Sequence, residues 1–462
     1  MRYLMALCLA GLTQAAPPTI GGCPVLPADH VFNSRIDDLP VHPRSADFLT
    51  RINSGTRRLH LDLGRSEDMQ SSEYWGIPYN VVSGDSITWQ RVHYDQGWPG
   101  ESDCADASRQ AFSPCSVSAP VLPIPPSPKV EGGIETDPSR EGDHHILMVD
   151  RDRCVLWESY HSYPRPGGGW DVLSTARFDL HSNRLRPAGW TSADAAGFPI
   201  LPLLLRADEA SLGEIRHALR FTIQSSKIRN SYVWPARHLT RNGDLSETRP
   251  PMGQLFRLKA DYPIPANYTV QARAILTALK RYGMYLADGG SDMYIQGEPS
   301  ARWEAATISQ VQSVPHTAFE AVDLSSVASR PGFDPDSAAL PPPAQHELLA
   351  RVVSAGSATR LDLGLVLDAA SRDQGRSGRL YIAALLPRNG TLLALTASQG
   401  WQLVQGLALP AYADVTLGRH QVELIRGADL SAFGPVQVYA GYGDSAEEML
   451  AQGRYRLVYA SE

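Results

Sequence analysis

The stretch His145-Ile146-Leu147-Met148-Val149-Asp150-Arg151-Asp152-Arg153-Cys154-Val155-Leu156-Trp157-Glu158-Ser159-Tyr160 decides the fold class. Two apolar runs flank four consecutive charged residues, Asp150 to Arg153, so it reads as two consecutive strands around an exposed turn. The same reading extends outward. Upstream, Trp75 to Val82 is a plausible strand, and Ile87 to Tyr94 alternates as strands do. Downstream, Arg177 to Leu180 and Glu214 to Thr222 follow. The latter sets Ile215, His217, Leu219 and Phe221 on one face against Glu214, Arg216, Ala218, Arg220 and Thr222 on the other. One helix stands out, Thr269 to Tyr282, with an apolar face, Lys280 and Arg281 in its last turn and Gly283 as its stop. Met284 to Ala287 and Met293 to Gln296 are expected to pair as a hairpin around Asp288-Gly289-Gly290-Ser291.

Further out, Cys23 to about Val130 is irregular and rich in Pro, Ser and Asp, which suits a segment wrapping other elements. Residues 326–345 end in Pro341-Pro342-Pro343 and read as a linker. Beyond it, short runs recur between turn residues: Arg360–Leu367, Arg379–Leu386, Thr391–Thr396, Trp401–Val404, Arg419–Ile425, Val436–Tyr442 and Arg454–Tyr459. The expected fold is therefore mainly β. It comprises a large antiparallel sandwich or jelly roll over residues 17–325 with one buried helix, then a small immunoglobulin-like sandwich over 346–462.

Residues 1–16 carry one cation, an apolar run from Tyr3 to Leu12 and a small-residue exit, the pattern of a secretory signal peptide. The expected location is thus extracellular or periplasmic, with no membrane span. A net charge of −7 argues against a nucleic-acid partner. Removal of the signal takes Cys8 and leaves Cys23, Cys104, Cys115 and Cys154, an even set in an oxidising compartment. Of the three connectivities, Cys104–Cys115 with Cys23–Cys154 is favoured: the first closes a short polar loop, the second ties the N-terminus to a central strand.

No Gly-x-Ser-x-Gly, His-Glu-x-x-His, phosphate loop or dinucleotide fingerprint occurs. The polar and aromatic residues between Trp190 and Lys259 are the densest candidates. Asp194, Asp208, Glu209 and His217 are expected to be catalytic, with Trp190, Trp234, Arg237, His238, Arg257 and Lys259 as substrate contacts. Indoles stack on sugar faces, and two carboxylates across a cleft can act as acid and base. Plainer readings stand beside these. His217 suits a core histidine, Glu214 a solvated charge, and Asp194, Asp208 and Glu209 helix or turn caps. No cofactor and no metal is expected, because the cysteines are scattered and His144 and His145, adjacent on a strand, face opposite sides.

The stretches "LRPAGWTSADAAGFPILPLLLRADEASLGEIRHALRFT" (185–222), "YVWPARH" (232–238), "PPMGQLFRLKADYPI" (250–264) and "ILTALKRYGMYLADGGSDMYIQG" (275–297) resemble a widespread family of exported bacterial proteins. "CPVLPADHVFN" (23–33) and "GDHHILMVDRDRCVLWESY" (142–160) extend the resemblance over residues 23–325. It implies that these residues form one unit, carries over no catalytic residue, and leans toward polysaccharide biology. The C-terminal sandwich resembles an accessory module. The expected function is a secreted glycoside hydrolase acting on a polysaccharide through a carboxylate pair; the alternative is a non-catalytic glycan-binding or cell-envelope protein.

Overall fold

The computed structural model describes residues 17–52, 57–137, 142–241, 243–341, 347–357, 360–404, 408–429 and 435–461. The expected signal peptide, with Cys8, lies outside them. The chain divides into two compact units, one ending at Pro341 and the other beginning at Pro342.

In the first unit the elements that matter are β1 (His60–Asp62), β2 (Tyr79–Val82), β3 (Ile146–Asp150), β4 (Val155–Tyr160), β5 (Ser174–Asp179), α1 (Ala207–Leu212), β6 (Leu219–Ile223), β7 (Leu255–Leu258), α2 (Val270–Arg281), β8 (Met284–Gly289), β9 (Tyr294–Gln296) and β10 (Phe319–Ala321). The opening stretch forms the hairpin β3–β4, with Val155 opposite Asp150. It lies inside a four-stranded sheet of order β5-β4-β3-β2. Every residue of β3 is buried, which accounts for its continuous apolar run. A second sheet runs β10-β7-β8-β6-β9-β1, and a third is built from short strands between Gln90 and Asp171.

The mainly β class holds, but the sheets of this unit are mixed. β2 runs parallel to β3, β6 to β8, and β9 to β1. Parallel pairing of β6 with β8 needs a long crossover, and the chain between them supplies one that carries α2. Thr269 caps α2, its hydroxyl accepting the Ala272 N–H at 3.0 Å. Gly283 closes it at φ +73°, where a Cβ would stand 2.4 Å from the Phe256 carbonyl oxygen, so no other residue fits without a shift. Shorter helices at Ser45–Ile52 and Ala305–Gln312 accompany it.

Three local expectations are corrected. β8 and β9 do not form a hairpin, because β6 lies between them. The intervening turn folds over the end of β6: Gly290 N–H donates to Ile223 O, Met293 N–H to Thr222 O, and the Asp292 carboxylate accepts the Gln224 N–H. The strand expected from Glu214 begins only at Leu219, so strict alternation does not reach His217. Residues 326–341 are not a linker either. Val31 and Leu340 donate to Ala338 O and Asp29 O, Trp234 Nε1 donates to Ser337 O, and Ala338 is fully buried. Residues 342–346 lie outside the described ones.

Both expected disulfides are present, Cys23–Cys154 with Cα atoms 5.3 Å apart and Cys104–Cys115 at 5.1 Å. The second unit comprises β11 (Leu349–Ser357), β12 (Arg360–Asp368), β13 (Ser377–Leu386), β14 (Thr391–Thr396), β15 (Gly400–Leu403), β16 (Ala413–Thr416), β17 (Arg419–Ala428), β18 (Gln437–Gly443) and β19 (Tyr455–Ala460). Its sheets run β11-β12-β17 and β15-β14-β13-β18-β19, with β16 on β13, all antiparallel. Leu361, Leu363, Leu365 and Leu367 alternate inward from one sheet and Leu380, Ile382, Val438 and Ala440 from the other, the two inner faces of a sandwich. Among the described residues no helix is long and apolar enough to cross a membrane.

Candidate functional site

The densest polar centre of the first unit gathers at the start of β3 and the ends of β1, β6 and β8. His144 has φ +45°, a left-handed conformation that breaks the alternation expected there. His144 turns toward Tyr163, ring centroids 4.6 Å apart, while Asp143 and His145 converge on Glu131. His145 Nδ1 lies 2.5 Å from Glu131 Oε2, and its Nε2 lies 2.9 Å from the Ala193 carbonyl oxygen. A carbonyl only accepts, so Nε2 carries a hydrogen. Burial disfavours charge on this ring, but the Glu131 carboxylate against it outweighs that and pushes its pKa up to about 9. Burial likewise acts to raise Glu131, while His145 holds it below the usual carboxylate range.

Beside this group, Arg220 from β6 grips Asp194 with two bonds, Nη2 to Oδ1 at 2.9 Å and Nε to Oδ2 at 3.2 Å. Both are buried. Asp288 ends the apolar run of β8 and accepts the Ala195 N–H at 3.1 Å. Burial, and then the negative charge of Asp194, push its carboxyl well above the usual carboxylate range. Asp62 on β1 sits opposite Gln296 of β9. Burial and the Glu131 charge push Asp62 up to about 6. Asp143 is exposed, whereas Asp62, Glu131, Tyr160 and Asp288 are half-buried, so these side chains form the solvent-facing side of the centre. Buried polar atoms here without a partner among the described residues include Tyr74 Oη, His144 Nδ1 and Gln296 Oε1.

Of the residues expected to be catalytic, only Asp194 belongs to this centre. His217 Nε2 meets Glu209 at 2.9 Å and its Nδ1 meets Ala218 O at 2.8 Å, with Arg206 paired to the other Glu209 oxygen. His217 and Arg206 are almost wholly enclosed, so this group anchors α1 to the core and offers no acid–base pair to solvent. Asp208 lines a different cleft of about 630 Å³ with Tyr79, Lys129 and Glu298.

The expected substrate contacts are occupied by structure. Trp190 stacks beside Arg186, its ring centre 5.8 Å from the guanidinium, and Trp234 packs on Phe333. Arg237 holds Arg186 O, Pro335 O and Asp336; Arg257 holds Glu320, Ile36 O and Leu39 O; Lys259 holds Thr317 O. His238 Nδ1 meets Ala195 O at 2.9 Å, which steadies the loop that carries Asp194. Sequence reasoning missed Glu131, Asp143 and His145 as a group, and Asp62 and Asp288 altogether. The closeness of Asp143 and His145 in sequence was the available signal, but the left-handed turn at His144 that brings them together is not announced by spacing. No family model, curated protein or solved structure matches the chain.

Proposed function

We propose that the protein is a secreted, carbohydrate-active hydrolase that cleaves glycosidic bonds with a carboxylate pair drawn from this centre. The observation that carries the reading is Asp288: a carboxyl group whose pKa is raised by burial and by the neighbouring Asp194, yet half-open to solvent, is suited to donate a proton to a leaving oxygen. Asp143, exposed and near enough for its charge to act on Asp288, supplies the accepting carboxylate. Arg220 fixes the Asp194 carboxylate in place beside Asp288 with two hydrogen bonds. Trp75, with 63% of its surface exposed and next to buried Tyr74, offers an indole face for a sugar ring. Two disulfides support an exported protein.

The test is a panel of soluble polysaccharides incubated with the mature protein and assayed for new reducing ends. Asp288→Asn is expected to lower turnover about 100-fold or more with the fold intact. Glycan retention without cleavage by the unaltered protein would instead favour a binding role, and no interaction with any glycan would refute the reading.

A further inference from the structure

We propose that Glu131, Asp143 and His145 form a binding site for one divalent transition-metal cation. The claim concerns binding and does not need the glycan reading to hold.

One ligand atom from each of the three side chains lies within 4.8 Å of the others. Ligands at the usual metal–nitrogen and metal–oxygen lengths of about 2.0–2.2 Å stand roughly 3–4 Å apart, so a cation would part the His145–Glu131 pair slightly and draw in the exposed Asp143 side chain. The histidine is oriented for the task. Its Nε2–H is committed to Ala193 O, which leaves Nδ1 as the nitrogen that faces Glu131 and Asp143. A ring nitrogen held by a backbone carbonyl, with the other nitrogen facing carboxylates, is the arrangement that metal-ligating histidines show. In this structure a hydrogen shared between Nδ1 and Glu131 Oε2 holds the place a cation would take.

A His–Glu ion pair by itself would need no third ligand, and two further features go beyond it. Tyr74 is 5% exposed, its Oη has no partner among the described residues, and it lies close enough to Glu131 to feel that charge. A buried hydroxyl left unpaired is costly, and a water or substrate oxygen on a cation beside Glu131 would satisfy it. The surroundings point the same way: Asp62 lies close enough to Glu131 to feel its charge, and Asp194 is already gripped by Arg220, an acidic setting that suits a dication. One imidazole nitrogen with two carboxylate oxygens suits zinc or manganese better than calcium, and three protein ligands leave coordination positions open.

The experiment uses the full mature chain, dialysed against chelator and titrated by calorimetry with Zn²⁺, Mn²⁺ or Ca²⁺ alone. Co²⁺ absorption serves as a second readout of the donor set. Expected are one equivalent of Zn²⁺ or Mn²⁺ bound more tightly than Ca²⁺, and at least 10-fold weaker binding in both Asp143→Asn and Glu131→Gln. Asp143 is exposed, so its amide variant should fold; circular dichroism and an unchanged melting temperature verify this. Asp208→Asn, in the other cleft, should bind as the unaltered protein does. Failure of the unaltered protein to bind any of the three ions stoichiometrically at micromolar concentration overturns the proposal, as does unchanged affinity in a folded Asp143→Asn. Metal binding without polysaccharide cleavage would leave this site standing and remove the glycan reading; cleavage by protein that binds no metal would do the reverse.

Discussion

Glu158 offers a test of the buried electrostatics that leaves the proposed chemistry untouched. It lies on β4 with no exposed surface, and its Oε1 accepts the N–H groups of Ile200 at 2.9 Å and Leu201 at 3.0 Å. Burial dominates these bonds and raises its pKa from 4.5 to about 7. The folded protein thus holds this proton more tightly than the unfolded chain does. The resulting stabilisation is fully present below about pH 4.5 and is lost as pH rises to about 7, beyond which nothing further is lost. At about 1.4 kcal/mol per pH unit, the interval corresponds to about 3 kcal/mol. Glu158→Gln keeps an oxygen where Oε1 accepts both bonds and has no proton to lose. Chemical unfolding of both proteins from pH 4.5 to 7.5 should show the stability of the unaltered protein, relative to the variant, falling by about that amount. Parallel stability–pH curves would show that Glu158 does not titrate in this window and would refute the reasoning.

Three other outcomes are expected. Removing Cys23–Cys154, which spans 131 residues, should cost about 5 kcal/mol on chain entropy, against about 3 kcal/mol for the 11-residue span of Cys104–Cys115; urea unfolding of the two Cys→Ser pairs checks the order. Asp194→Leu alone should cost about 3–5 kcal/mol by leaving Arg220 buried without its counter-charge, and adding Arg220→Met should recover part of that loss in the same measurement. A fragment ending at residue 341 should melt cooperatively, whereas one ending at 325 should melt lower in differential scanning fluorimetry, since Val31, Trp234 and Arg237 each lose a partner worth about 1 kcal/mol.

Strands that declare themselves by local pattern were legible. The hairpin β3–β4, the capped helix α2 and seven strands of the second unit sit where spacing puts them, because alternation and caps are local signals, whereas β11 and β16 lie outside the expected runs. What escaped is non-local. Nothing near Met284 or Met293 announces that β6, which lies more than 60 residues earlier, will slot between β8 and β9. The candidate site was legible only in part, through Asp194, for the same reason. Density of polar residues along the chain pointed to 190–259, where Arg237, Arg257 and Lys259 prove to hold backbone carbonyls inside the fold. The polar centre instead draws on segments near residues 62, 131, 145, 194, 220 and 288, each contributing one or two side chains too sparse to register singly.

The bonds that join the two ends of the first unit, Leu340 to Asp29 and Val31 to Ala338 with the bridge between His30 and Ala339, have a mechanical consequence. Tension applied through residues 17 and 341 would load these contacts one after another, as a zipper opens, so the rim should yield at low force. On the N-terminal side the pull meets Cys23 first, and its bridge to Cys154 shields the enclosed residues, Asp29 to Val31 among them, from extension, so the rim opens from the residue 341 side. The unit is therefore built to give way at its rim while keeping the strand that begins beside His145 out of the path of the pull.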